Sequence, residues 1–167
     1  MAEGRTRGEA AAAELVEVAD GILADVRRLP PELITWIPSE GVWTVMDNLC
    51  HVREFVPFWT GETLRIVRHP EQQWGRTHTD TDRVAAVTNT SGLRLEDVLG
   101  DIHRLSRQSA DTLRTLSDAD LAIEATSKNQ RWGLKPASFV IEQLIVHHID
   151  KHRGQIQRNV TQFGERR

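Results

Sequence analysis

Four stretches of this chain carry apolar residues at helical spacing, and no segment alternates apolar and polar residues as a half-buried strand would. That pattern restricts the fold to a helical one. In the first stretch, from about Gly8 to Leu29, Leu15, Val18, Ile22 and Val26 recur on one face, and the prolines that follow Leu29 end it. The second opens at "WTVMDNL", with Thr44 as N-cap and Asp47 three residues on, near the positive helix end. It runs to about Arg68, with a kink predicted at Pro57. The third spans about Leu95 to Leu116, with Leu95, Leu99, Ile102, Leu105 and Leu113 as its apolar set. The fourth begins near Pro136 and runs to about Phe163, where Gly164 is placed to terminate it.

The connections are long. "ITWIPSEGVW" is a turn-rich connector, 69–91 is a polar excursion with a short helix expected near Arg83 to Val87, and "SDADLAIEATSKNQRWGLKPAS" is a second linker. Excursions of such length in a compact domain are often functional. Four helices with these connections predict an all-α four-helix bundle, one domain over residues 1–167 with residues 1–7 flexible.

Composition enters mainly by exclusion. A net charge of −3, with basic residues scattered, supplies no converging cations for phosphate backbones, so nucleic acid is not an expected partner. No run of about 18 apolar residues is present, so no membrane span is expected. The N-terminus has no apolar core of a secretory signal, and the single cysteine, Cys50, excludes an intrachain disulfide or a CxxC metal site. A cytoplasmic protein is the expectation.

The chemistry concentrates in "VHHIDKHRGQIQ", which holds three histidines within six positions. His148 and His152 lie one helical turn apart on a stripe shared with Ile141, Ile145, Ile156 and Asn159, so both imidazoles are expected to face the bundle interior. His147 is rotated by about 100° and belongs at a rim or in solvent. Two ligands make a weak site, and the best third candidate is His51, on the second helix among Val45, Leu49, Val52 and Phe55. A three-histidine site with open positions suits a catalytic rather than a structural metal. The alternative is that these histidines are polar core residues.

"WTVMDNLCHV" (Trp43 to Val52) resembles the opening of the second helix in the DinB/YfiT-like superfamily, and "HHIDKHRGQI" (His147 to Ile156) is similar to that family's closing H-x-x-x-H-R-G-Q-I motif. The layout of four helices with a long second-to-third connection and a Trp-Gly turn at Trp132-Gly133 matches as well. The resemblance implies a four-helix bundle in which His51, His148 and His152 bind one divalent cation, commonly zinc, nickel or iron. It also implies a homodimer acting on a small-molecule substrate. Characterised members include thiol-dependent S-transferases and a mycothiol-dependent maleylpyruvate isomerase, which implies activation of a low-molecular-weight thiol, with metal-dependent hydrolysis and a non-catalytic metal-binding module as alternatives.

Around such a site, Asp47 and Glu54 flank His51 on one face, and either is placed to orient its ring. Glu54 is also a candidate fourth ligand or general base, and Gln155 a candidate hydrogen-bond partner for the site. Arg153 is expected to pair with an acid on another helix or across a dimer contact, and Cys50 to pack as a small buried hydrophobe. Trp43 and Trp132 are expected to anchor linker ends; Trp36, Trp59 and Trp74 are candidates to line a pocket. His69, His78 and His103 are expected at the surface, with His69 and His78 retained as candidates for the rim of the site.

Overall fold

A computed structural model describes residues 5–166. The long helices are α1 (Arg7–Val26), α3 (Val45–Arg68), α5 (Leu95–Arg114) and α8 (His147–Glu165), with short helices α2 (Pro31–Ile34), α4 (Thr81–Thr88), α6 (Asp118–Ala122) and α7 (Ala137–Phe139) in the connections. A π-helical segment, Val140–Val146, joins α7 to α8 and closes with the His147 amide donating to the Glu142 carbonyl, five residues back. One antiparallel pair of strands, β1 (Glu124–Thr126) and β2 (Leu134–Pro136), lies in the second linker, where no strand was expected. Each is three residues long, too short to show alternation, and the loop between them returns through Gly133 at φ 59°, a conformation that favours glycine.

Local chemistry explains the helix starts. Thr6 and Glu9 form a capping box at α1, and Thr44 and Asp47 form another at α3, each pair satisfying amides that no helical carbonyl can reach. Thr6 and Arg7, expected to be flexible, are thus part of a helix start, with the Arg7 amide donating to Asp118; residues 1–4 of that stretch lie outside the described residues. Helix α3 runs without a break through Pro57, which sits on its exposed side. At the other end of the chain α8 continues through Gly164 to Glu165, because Gly164 keeps a right-handed conformation.

The packing order is not that of the chain. Helix α1 packs against α5 and, on its other side, against the π segment and α8; α3 likewise packs against α5, the π segment and α8. Successive long helices α1 and α3 therefore stand diagonally opposite, as do α5 and α8. This arrangement needs long connections, and it puts α3 beside the C-terminal helix, where histidines of both can meet. The core is the shared interior, including Leu15, Ile22, Leu49, Phe55, Leu99, Ile102, Leu113 and Ile145. Val18, Leu95 and Leu105 are only partly buried, and Ala19, Val98 and Ser106 face inward beside them.

The 69–91 excursion is pinned to the second linker. The Trp74 amide donates to the Thr126 carbonyl (3.1 Å), the Lys128 amide to the Trp74 carbonyl (2.8 Å), and the Trp74 indole Nε1 to the Ala125 carbonyl (2.8 Å). Helix α4 then packs on α3. Both linkers are thereby held over the same end of the bundle. No described helix is long and apolar enough to cross a membrane.

Candidate metal centre

The structure brings His51, His148 and His152 together: one nitrogen from each lies within 4.8 Å of the other two. Ring centroids are 5.3 Å apart for His51 and His148, 5.0 Å for His51 and His152, and 4.8 Å for His148 and His152. The last two residues keep their one-turn relation because α8 has regained α-helical geometry by His147. The π segment leaves Ile141 and Ile145 buried behind them, and π-helical turns recur at functional sites. His51 and His152 are buried, and His148 is half-buried toward a cavity.

All three rings are neutral near pH 7. Burial is the main cause, and neighbouring rings and cations add to it. Together they push His51 down to about 2, His152 to about 3 and His148 to about 4, from 6.5. The Leu144 carbonyl partly offsets this for His148 by favouring the protonated ring. Neutral imidazoles present lone pairs, the form that a metal takes.

Asn48 fixes the tautomer of one of these histidines. Its Nδ2 donates to the Thr44 carbonyl (2.8 Å), so its Oδ1 is the atom that meets His152 Nδ1 at 2.8 Å. His152 Nδ1 must then carry the proton and donate it, leaving Nε2 with the free lone pair. The buried Nδ1 atoms of His51 and His148 have no hydrogen-bond partner among the described residues. With one nitrogen of each ring within 4.8 Å of the other two and the tautomer of His152 set, the three imidazoles fit a three-nitrogen ligand set for a divalent cation.

The other expected residues are placed as follows. Asp47 is engaged at the helix start, accepting from the Thr44 amide and from the Thr90 hydroxyl (2.9 and 2.8 Å). Glu54 is gripped in bidentate fashion by Arg76 (2.5 and 2.6 Å), and its Oε2 lies 3.9 Å from His51 Nδ1. Gln155 is half-buried on the turn after His152 and does not line the cavity. Arg153 pairs with Asp25 on α1 (2.6 Å), and Cys50 is fully buried. His147 and His103 are exposed, and His69 is exposed near Glu71.

A cavity of about 280 Å³ opens beside His51 and His148. The excursion and the second linker form its far side. Trp59 and Trp132 give an apolar wall, and Trp132 stacks on the buried Trp74 with ring centroids 5.6 Å apart. His78, expected at the surface and kept only as a candidate for the rim of the site, is among the residues that line the cavity. Trp132 therefore does more than anchor a linker, whereas Trp36 packs on Phe163 away from the cavity. Trp43 stacks on His152 (5.8 Å) and meets His51 edge-on (5.2 Å), which makes it a wall of the histidine cluster.

Sequence reasoning missed Asn48, Arg76, Arg83 and Lys151. A signal existed for Asn48, an amide three residues before His51 and hence on the same face. For the two arginines there was none, because their placement depends on how the excursion folds back.

Compared with known families, residues 9–156 match the model of the DinB superfamily. The chain belongs to the DinB superfamily. Among solved structures, YfiT from Bacillus subtilis superposes with a TM-score of 0.79 over 95% of this chain and 88% of that one, at 14% sequence identity. YfiT is described as a probable metal-dependent hydrolase with an unusual four-helix bundle topology. At that identity the likeness establishes the shared fold. No curated protein matches the chain.

Proposed function

We propose that this DinB-superfamily chain is a metal-dependent enzyme in which His51, His148 and His152 hold one divalent cation, zinc, nickel or iron. One observation carries the reading: three imidazoles converge, and two of them, His51 and His148, line a cavity instead of being sealed in the core. A divalent cation held by these three residues would supply Lewis-acid chemistry, lowering the pKa of a thiol or water. The reaction proposed is attack of that thiol or water on a small electrophile.

The chain's own groups have distinct parts in this reading. Asn48 orients His152, and Trp43 walls the cluster off from water on the side away from the cavity. Glu54 steadies His51 from 3.9 Å while neutralising Arg76; it accepts a proton only if Arg76 releases it. Gln155 acts by packing support to the turn that carries His152. The thiol is favoured by the likeness to S-transferase members of the family, and water by the description of YfiT. A cytoplasmic setting, a homodimeric state and the absence of nucleic-acid or membrane partners belong to the same proposal, resting on family likeness and composition.

Substitution with cobalt(II) tests it. The account expects a visible spectrum of low coordination number that changes when a small thiol such as 2-mercaptoethanol is added, with a new thiolate-to-cobalt band. A spectrum that responds to pH and to azide but not to thiol shifts the reading to hydrolysis. A spectrum that responds to none of these means a closed coordination sphere, with Glu54 the nearest oxygen donor to His51, and a non-catalytic metal-binding module.

A further inference from the structure

The charges around the cavity are unevenly compensated. Three cationic side chains line it, Arg76, Arg83 and Lys151, and no aspartate or glutamate does. The charge of Arg76 is already compensated: it holds Glu54 with two nitrogens and reaches Asp80 at 3.2 Å, its Cζ lies 3.8 Å from the Phe58 ring centroid, and only its buried Nε lacks a hydrogen-bond partner. Its work is to tie the excursion to α3. Arg83 and Lys151 differ, since neither forms an ion pair among the described residues.

Arg83 is also held in place. Its Nη1 donates to the His78 carbonyl (2.8 Å), which fixes the guanidinium over the cavity and leaves its remaining N–H groups free. Lys151 approaches from the opposite element, α8, one turn beyond His148. Two unpaired cations from separate elements thus face one concavity, whose lining also includes the apolar rings of Trp59 and Trp132, set edge-to-face at 72°. A neutral apolar occupant would leave both cations facing it uncompensated. An anion joined to a flat or apolar body would satisfy the cations and the rings at once.

The geometry points to an organic-acid subsite: the cavity beside the histidine cluster binds a small carboxylate or phosphate with an apolar body, its anionic group on Arg83 and Lys151 and its body on Trp59 and Trp132. This names the substrate class of the proposed enzyme, and so rests on that reading for its catalytic meaning, but the binding itself uses residues outside the three histidines. The cavity's size, about 280 Å³, suits a molecule of roughly one ring and a short chain.

Calorimetric titration of metal-free and zinc-loaded protein with 3-phenylpropionate, phenyl phosphate and the neutral 3-phenylpropionamide tests the subsite, with tryptophan fluorescence as a second readout. At least one of the two acids is expected to bind at least about tenfold more tightly than the amide, in both forms of the protein. Whichever binds tighter identifies the anionic group. In the doubly substituted Arg83→Gln, Lys151→Gln protein that preference should disappear, while zinc stoichiometry is unchanged. Equal affinity for acid and amide, no binding of either acid, or a preference that survives the double substitution would overturn the inference. Zinc content measured on the same samples separates the two claims. An acid held by Arg83 and Lys151 without any zinc uptake leaves the subsite standing and removes the metal reading, and the reverse pattern does the opposite.

Discussion

His152 can offer an ion only one nitrogen, because Asn48 occupies the other. Replacing Asn48 by Ala frees that tautomer and the ring's orientation, and is expected to weaken zinc binding by about 10–100-fold. Competition with a chromophoric chelator measures this, and an unchanged affinity would remove Asn48 from the account. A second consequence concerns acid. In the metal-free protein the buried rings remain neutral well below 6.5, whereas an unfolded chain's histidines take up protons there. The unfolded state then binds more protons, so stability falls as pH drops below about 6.5 and is unaffected by these rings above it. Each ring contributes at most about 1.4 kcal/mol per pH unit. Urea midpoints of metal-free protein should fall between pH 7 and pH 5; a flat profile over that window contradicts the burial of neutral imidazoles. At this scale much was legible in the sequence: the HxxxH spacing and His51 on an apolar helix face named the three histidines. The excursion's arginines were not, since their neighbours are fixed only by tertiary contacts.

At the scale of elements, the close approach of α1 to the end of α5 depends on Gly8. A β-carbon there would press on the main-chain carbonyls of Leu113 and Leu116, which cannot swing aside as a flexible side chain can. Gly8→Ala is therefore expected to destabilise the fold by about 1–3 kcal/mol, despite alanine's better helix propensity, as read from urea unfolding. A stabilised variant would mean that the two helices separate at little cost. The long helices were readable because cap residues such as Thr44 with Asp47 and the 3.6-residue apolar period act locally. The π segment was not: shifting hydrogen bonds from four residues back to five leaves the apolar pattern of "VIEQLIV" unchanged. The hairpin of β1 and β2 was equally hidden, being stabilised through Trp74 from a distant part of the chain.

On the scale of the whole molecule, Trp74 fastens the excursion to the second linker through its main chain and its indole, and with it the cavity's far wall. Trp74→Phe removes the donor to the Ala125 carbonyl and part of the stack on Trp132. The expected cost is about 1–3 kcal/mol, with faster proteolytic cleavage within 76–91; equal stability and equal cleavage rates would show that the linkers are held otherwise. The diagonal order of α1 and α3 gives these long connections their purpose, because it sets α3 beside α8 and lets His51 meet His148 and His152. Elemental analysis of untagged protein, comparing wild type with His51→Ala and His152→Ala, tests that convergence most directly. The account predicts close to one divalent ion per chain in the wild type and its loss in both variants. No bound ion after incubation with zinc, nickel and iron salts, or an ion retained by both variants, would contradict it.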